Sequence, residues 1–255
     1  MNDLTSHLRI LEPHPGIWAF YDGRVAGHRF APEPNWVDDG ALSLGIASYA
    51  VVSGTEALVY DTHVSVAHAL AVRAALTGLG VTKFTVVLSH WHLDHVAGSA
   101  AFPGAEVIAN ARTAAHLHAN RAGIEDGSFN GAPAIMPLVL PTQEFSGQMH
   151  LMIGDIRVDL IEANIHSDDA TVVWLPGSAE MRQGGQVTRR GSLDELTTEL
   201  SGTPVPVAAL FGWLRGQSSD VPGWQADLSR QPEGRITARR TSPEPTAELR
   251  VVVQP

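Results

Sequence analysis

The chain has 255 residues, 44% hydrophobic and 17% charged, which is apolar enough for a packed core and excludes a chain disordered throughout. It has no cysteine, which excludes disulfides, thiolate metal sites, cysteine nucleophiles and an acylated lipoprotein cysteine. A net charge of −10 argues against a nucleic-acid partner. The start, MNDLTSHLRILEPHPG, has neither the basic nor the apolar region of a secretory leader, so a cytoplasmic location is expected. No apolar run reaches the ~18 residues of a membrane helix, so no membrane span is expected.

In chain order, residues 16–20 and 44–52 read as short strands, and ALVYD (57–61) as a buried strand ending at an acid. Residues 64–79 carry apolar side chains at helical spacing and stop at Gly80, a helix-terminating glycine. KFTVVLS (83–89) is a buried strand that empties into HWHLDH. Residues 96–102 open a helix or loop, 105–110 form a strand, and 111–123 a helix. The Gly/Pro-rich residues 124–142 read as loop. Residues 149–153 and 156–162 pair as a hairpin around Gly154–Asp155, and 170–176 form a further strand. This alternation predicts an α/β sandwich.

Composition changes at Pro176–Gly177. Residues 1–176 hold 8 Lys+Arg against 18 Asp+Glu and all 12 histidines, the last being His166, whereas residues 177–255 hold 9 of each charge. Beyond the join, Ser192 with Glu195 reads as a capping box on a short helix. A Pro-braked turn and a second amphipathic helix follow, then three antiparallel strands in GWQADLS, GRITARR and AELRVVV.

The chemistry is concentrated in Ser89-His90-Trp91-His92-Leu93-Asp94-His95. At a strand end, residues i and i+2 project to one side, so His90 and His92 can reach one metal. Asp94 and His95 follow on the turn and can face a second. Nitrogen and oxygen ligands of this hardness suit Zn²⁺ best, with Fe or Mn as alternatives. Four ionisable groups crowded at the exit of an apolar strand are electrostatically costly without a cation.

HWHLDH resembles the HxHxDH signature of the metallo-β-lactamase superfamily, and LVYDTH upstream resembles the strand ending in Asp that precedes the family's first helix. Ile165-His166-Ser167-Asp168-Asp169, running into ATVVWLP, resembles the family's third histidine segment. The resemblance covers residues 8–176. It implies an αββα sandwich and a first metal held by His90, His92 and His166. It also implies a second site begun by Asp94 and His95, with Asp94 able to position the nucleophile. Asp61 is then either a group orienting the ligands or a simple strand-end cap. The implied reaction is metal-assisted hydrolysis of an ester, lactam or similar bond in a small-molecule substrate, by a water whose pKa the metal lowers.

The family's later Asp, often in a GD pair, and its last His have no counterpart after His166. One tight Zn²⁺ site is therefore expected, with the second weak or absent, an incomplete sandwich and impaired activity. Asp168 and Asp169 are expected to cap their loop or face solvent rather than complete the second site. His116 and His118 read as surface residues, His63 and His68 as flanking a helix start, with His63 capping that helix in preference to lining the pocket mouth, and Trp91 as core packing.

The run Gly191-Ser192-Leu193-Asp194-Glu195-Leu196, then Gly202-Thr203-Pro204-Val205-Pro206, then Leu210, Trp213, Leu214 and Gly216 resembles LolB, the outer-membrane lipoprotein receptor. That resemblance implies a C-terminal α+β segment equivalent to part of a half-barrel that holds acyl chains. Two domains are expected: a metal-binding domain over 1–176 and a LolB-like segment over 177–255. Two functions follow: a zinc hydrolase, or a non-enzymatic lipoprotein carrier fragment at the outer membrane. Imperfect packing at the join predicts exposed apolar surface and self-association.

Overall fold

The computed structural model describes residues 4–176, 179–183, 186–190, 193–242, 244 and 246–252. By contacts the chain divides into one unit over Met1–Leu175 and another over Pro176–Pro255.

The first unit is built on a seven-stranded sheet. Its strands β1 (Arg9–His14), β2 (Ile17–Asp22), β3 (Ile46–Ser53) and β4 (Glu56–Tyr60) pair antiparallel in chain order. From β4 the pairing turns parallel through β5 (Lys83–Val87), β6 (Glu106–Asn110) and β7 (Gln143–Phe145). Parallel neighbours need crossovers. These are α1 (Val66–Gly78) between β4 and β5, the four-residue α2 (Leu93–Val96) between β5 and β6, and α3 (Ala111–Asp126) between β6 and β7.

The pleat sorts the core. Ala57, Val59, Val86, Val107 and Ala109 face Ala69, Val72 and Leu76 of α1 and Leu117 and Ile124 of α3. Leu58, Val87 and Ile108, one residue out of phase, face Ile153, Val158 and Leu160. Those belong to a three-stranded antiparallel sheet of β8 (Gln148–Ile153), β9 (Ile156–Ala163) and β10 (Ala170–Trp174). The result is a mixed α/β sandwich with its crossover helices packed on the outer face of the larger sheet.

Several boundaries differ from the sequence reading for local reasons. Strand β5 ends at Val87 rather than at 89. Helix α3 runs on to Asp126 because Ile124 is buried in the core, and it stops at Gly127, whose φ of 79° suits a left-handed cap. Helix α1 begins after Ser65, whose Oγ accepts from the His68 N–H, so Ser65 and not a histidine caps it. Strands β1 and β7 and a π-helical turn over Val37–Leu42 carry no sequence periodicity that separates them from loop.

The second unit contains a hairpin of β11 (Ala179–Gln183) and β12 (Gln186–Arg190), then α4 (Leu193–Ser201) and α5 (Val207–Leu214). A three-stranded antiparallel meander follows: β13 (Trp224–Asp227), β14 (Arg235–Arg240) and β15 (Ala247–Val252). Its core is Trp213, Trp224, Ile236 and Ala238. The expected capping residue Ser192, with Gly191, and Gly177 at the expected join lie outside the described residues. Among the described residues no helix is long and apolar enough to cross a membrane.

Candidate metal centre

Parallel strands β4 and β5 deliver Asp61 and Ser89-His90 to the same edge of the sheet, the end at which open α/β sheets place their ligands. The Asp61 N–H donates to the Val87 carbonyl at 2.9 Å, continuing the ladder by one bond. Asp61 then leaves extended backbone with φ of 65°, left-handed for a non-glycine residue. Its carboxylate offsets that strain: Oδ1 accepts the Ser89 N–H at 2.7 Å and Oδ2 accepts His95 Nδ1–H at 2.7 Å. Asp61 therefore holds His95 and the start of the histidine-bearing turn at once.

His90, His92 and His166 converge. Each offers a ring nitrogen, and the three atoms lie within 4.8 Å of one another. Ring centroids are 4.3 Å apart for His90–His92, 4.9 Å for His90–His166 and 5.4 Å for His92–His166. The convergence is not made by a strand pleat, because β5 has already ended. A bend carries His90, and His92 sits at the N-terminus of α2. His166 comes from the loop between β9 and β10.

His90 is buried, and its Nδ1 hydrogen-bonds Ser89 Oγ at 2.8 Å. Its Nε2 is buried without any partner, and leaving such a group unpaired is costly. Burial, with the neighbouring His95, His92 and His166, pushes His90 down to about 3, against the pull of Asp61. Burial likewise lowers His92, with His166 and His95 adding to it against Asp94. Both imidazoles are thus neutral at physiological pH, the form that donates a lone pair to a metal. His95 differs. Burial opposes its charge, but the Asp61 charge and hydrogen bond, with Asp94 beside it, outweigh burial and raise it.

Asp94 and His95 sit together on α2, with His95 Nε2 3.5 Å from Asp94 Oδ2. Among the described residues no third ligand atom joins them to make a second cluster. Asp168 and Asp169 do not complete one. Asp168 is exposed, with its carboxylate 3.9 Å from His116 Nε2. Asp169 is fully buried and acts as a bracket. Its Oδ2 accepts the Trp91 N–H at 3.0 Å and the Thr113 hydroxyl at 2.9 Å, and its Oδ1 accepts the Ser167 hydroxyl at 2.6 Å. One carboxylate thereby ties the peptide between His90 and His92 to the residue after His166.

The sequence reading missed this bracket and the support behind it. Asn110 Oδ1 caps α3 by accepting from Arg112 and Thr113, while its amide donates to the Asp169 carbonyl. An Asn at a strand–helix junction was the available signal. Trp91 is not a core residue alone. It stacks on His116 at 5.4 Å, meets Phe129 edge-on at 5.6 Å and lines the cavity. His63 is fully buried rather than at a pocket mouth. The cavity in front of the histidines has a volume of about 1500 Å³, and every residue lining it lies between Ile17 and Leu175.

Residues 43–187 match the family model of the metallo-beta-lactamase superfamily. Among solved structures, the chain is similar to the metallo-beta-lactamase from Pontibacter korlensis (18% identity, TM-score 0.49), covering 66% of this chain and 67% of that one. It is similar to the DIM-1 metallo-beta-lactamase (21%, TM-score 0.48, 67% and 66%). The Cronobacter sakazakii enzyme with the HARLDQ motif is also similar (21%, TM-score 0.45, 65% and 58%). The outer-membrane lipoprotein LolB of Bordetella petrii is 34% identical over 110 residues, covering 34% of this chain and 55% of that protein. The chain thus spans about half the length of the curated relative it matches. With the family model covering more than half of its residues, the chain belongs to the metallo-beta-lactamase superfamily.

Proposed function

We propose that this protein is a zinc-dependent hydrolase whose metal is held by His90, His92 and His166. The observation that carries the reading is the convergence of the His90, His92 and His166 ring nitrogens within 4.8 Å of one another, with the His90 Nε2 buried and without a hydrogen-bond partner. Three nitrogen donors with an open fourth position are the ligand set of a catalytic zinc. When bound, zinc supplies a Lewis acid and lowers the pKa of a coordinated water.

The remaining steps belong to side chains. Ser89 fixes the His90 ring through Nδ1 and leaves Nε2 for the metal. Asp61 locks His95, and Asp169 fixes the spacing of the two ligand-bearing loops. Asp94, part-exposed to the cavity, orients the attacking water through Oδ2 and accepts its proton. The scissile group is an ester, lactam or similar bond. With only Asp94 and His95 at the second position, one tight metal and at most one weak one are expected, and turnover below that of a two-metal site.

The test is the zinc content of full-length protein purified without added metal, followed by zinc titration. About one tight equivalent per chain supports the reading, and two equally tight equivalents refute the ligand assignment. Brisk hydrolysis unaffected by His166→Ala refutes the site.

The match to LolB favours a second reading. Residues 1–176 form the metal-binding domain, and 177–255 are a LolB-like segment that binds acyl chains without catalysis. Acyl probes that bind equally with and without metal, on a chain that hydrolyses nothing, would favour the carrier.

A further inference from the structure

The cavity has one chemical peculiarity. Its wall is aromatic and aliphatic, with Trp36, Tyr49, Trp91, Phe129, Leu44 and Ile165 around the histidines, and among the described residues no Lys or Arg lines it. The acidic residues that reach it are Asp39, Asp61 and Asp94, and His95, raised toward its charged form, is already answered by Asp61 and Asp94. Asp61 is engaged by Ser89 and His95, and Asp94 lies beside His95. Asp39 stands exposed at the rim. Residues 1–176 carry ten more acidic than basic side chains, so the wider field has the same sign.

We infer that the site takes a bulky, uncharged ester or lactone with an apolar body, and discriminates against carboxylate, phosphate and sulfonate substrates. The inference rests on the hydrolase reading for the reaction and on the cavity wall for the selectivity.

The physical argument is one of unpaired charge. An anion entering an apolar cavity loses its hydration, and no guanidinium or ammonium on this wall replaces it. Like-charged carboxylates nearby add repulsion. Among the described lining residues His95 is already paired with Asp61 and Asp94, so an anion would be drawn only to a metal held by the three histidines, where it would compete with the reacting carbonyl. A neutral apolar substrate has none of these costs and gains from burial against four aromatic rings. A cationic substrate gains little, because Asp61 and Asp94 are taken up with His95 and Asp39 is solvated. The volume of about 1500 Å³ exceeds the ~300–1,000 Å³ of common small-ligand sites, which suits a large acyl or aryl group.

The chemistry balances simply. Water oxygen forms the new bond to the acyl carbon, the ester C–O bond breaks, one proton goes to the departing alkoxide, and the other leaves as the acid ionises. The acidic wall then helps release, because the product is the carboxylate it disfavours.

The test uses the full-length, metal-free protein and three fluorescent probes of one shape: 2-acetamidonaphthalene, its 6-carboxylate and its 6-trimethylammonium. Fluorescence anisotropy gives each Kd. The neutral probe should bind about tenfold or more tighter than the carboxylate. Leu44→Arg changes a residue that is 68% exposed, so folding is not at stake. It should close that gap by tightening the carboxylate alone, and Asp39→Arg should do the same to a smaller degree. Equal or tighter binding of the carboxylate, tightest binding of the ammonium, no binding of the neutral probe, or no shift in Leu44→Arg would each overturn the inference. Zinc is absent from this assay, so its outcome is independent of the metal titration that tests the hydrolase reading.

Discussion

Two histidine clusters lie in the first unit, and they are built on opposite principles. At the cavity, His90, His92 and His166 bring ring nitrogens together with no carboxylate among them, and one of those nitrogens is buried without a partner. Behind the sheet edge, Asp22 is fully buried, and its Oδ2 is shared by His68 Nε2 at 3.0 Å and His28 Nε2 at 3.6 Å. His63 stacks on His68 with centroids 4.5 Å apart and planes within 3°. Ser65 Oγ meets His68 Nδ1 at 2.8 Å, and the Gly23 N–H donates to Asp22 Oδ1 at 2.6 Å. The second group supplies its own anion. Both groups hold a buried Nε2 without a hydrogen-bond partner, His90 in one and His28 and His63 in the other, so what separates them is the buried carboxylate around which the second is gathered and which the converging nitrogens of the first lack.

The sharpest way to break that comparison is His92→Ala. It should abolish tight zinc binding, measured by calorimetric titration, while leaving the metal-free protein close to wild-type stability, because His92 is only half-buried and no carboxylate depends on it. A variant that keeps tight zinc shows that the cavity cluster is not the metal centre.

Asp22→Ala should do the reverse. Removing the buried carboxylate leaves His68 Nε2 and the Gly23 N–H without their acceptor, at a cost of ~1–3 kcal/mol for each buried group left unpaired, read as a lower urea midpoint with unchanged slope. Zinc affinity of the remaining folded protein should be unchanged. Equal damage to both properties would merge the two clusters into one.

A finer effect is expected at Asp169, which touches neither cluster's ring atoms yet spans the loops of the first. Partners of this kind typically contribute ~10–100-fold to metal affinity. Asp169→Asn keeps the shape and one acceptor but loses the charge, so zinc affinity should fall within that range. Metal-free stability should fall less than in Asp22→Ala. Unchanged affinity would mean that the Trp91 and Ser167 contacts do not set the ligand spacing.

How much of this was legible in the sequence follows from range along the chain. HWHLDH is contiguous, so the approach of His90 and His92 to one point could be read from local backbone geometry. His166 was legible only through the resemblance of residues 165–176, a histidine in a loop before an apolar strand, to the family's third histidine segment. The pairing of Asp22 with His68 spans 46 residues and that of Asp169 with Trp91 spans 78, and neither leaves a periodic trace. Strand β7, three residues long, is held by pairing with β6 and not by its own residues. In the second unit the helices and the meander were legible from apolar spacing, since each pairs with its neighbour in sequence.

Acid is the gentlest probe of the same contrast. Burial, with the adjacent His68, pushes His63 down to about 3, against the pull of Asp22. Its Nδ1 accepts the Val64 N–H, so the proton sits on Nε2, which has no partner. A base whose folded pKa lies below its unfolded value of ~6.5 binds a proton more readily when unfolded. Its contribution is therefore fully present above pH ~6.5 and is lost as pH falls from there toward about 3, by up to ~1.4 kcal/mol per pH unit. Burial opposes the charge on Asp22, but His68, the Gly23 N–H and His28 outweigh it and hold its carboxyl below the usual 3.8. Its contribution persists above that value and is lost only below it, in a separate and more acid window. His63 adopts φ of 67°, so the clean variant is His63→Asn, which tolerates left-handed backbone and does not titrate. Urea unfolding of zinc-free protein between pH 7 and pH 5 should show a shallower loss of stability in His63→Asn than in the wild type. An identical slope in the two proteins would mean that His63 takes up its proton in the folded state, and that the sealed cluster is not sealed.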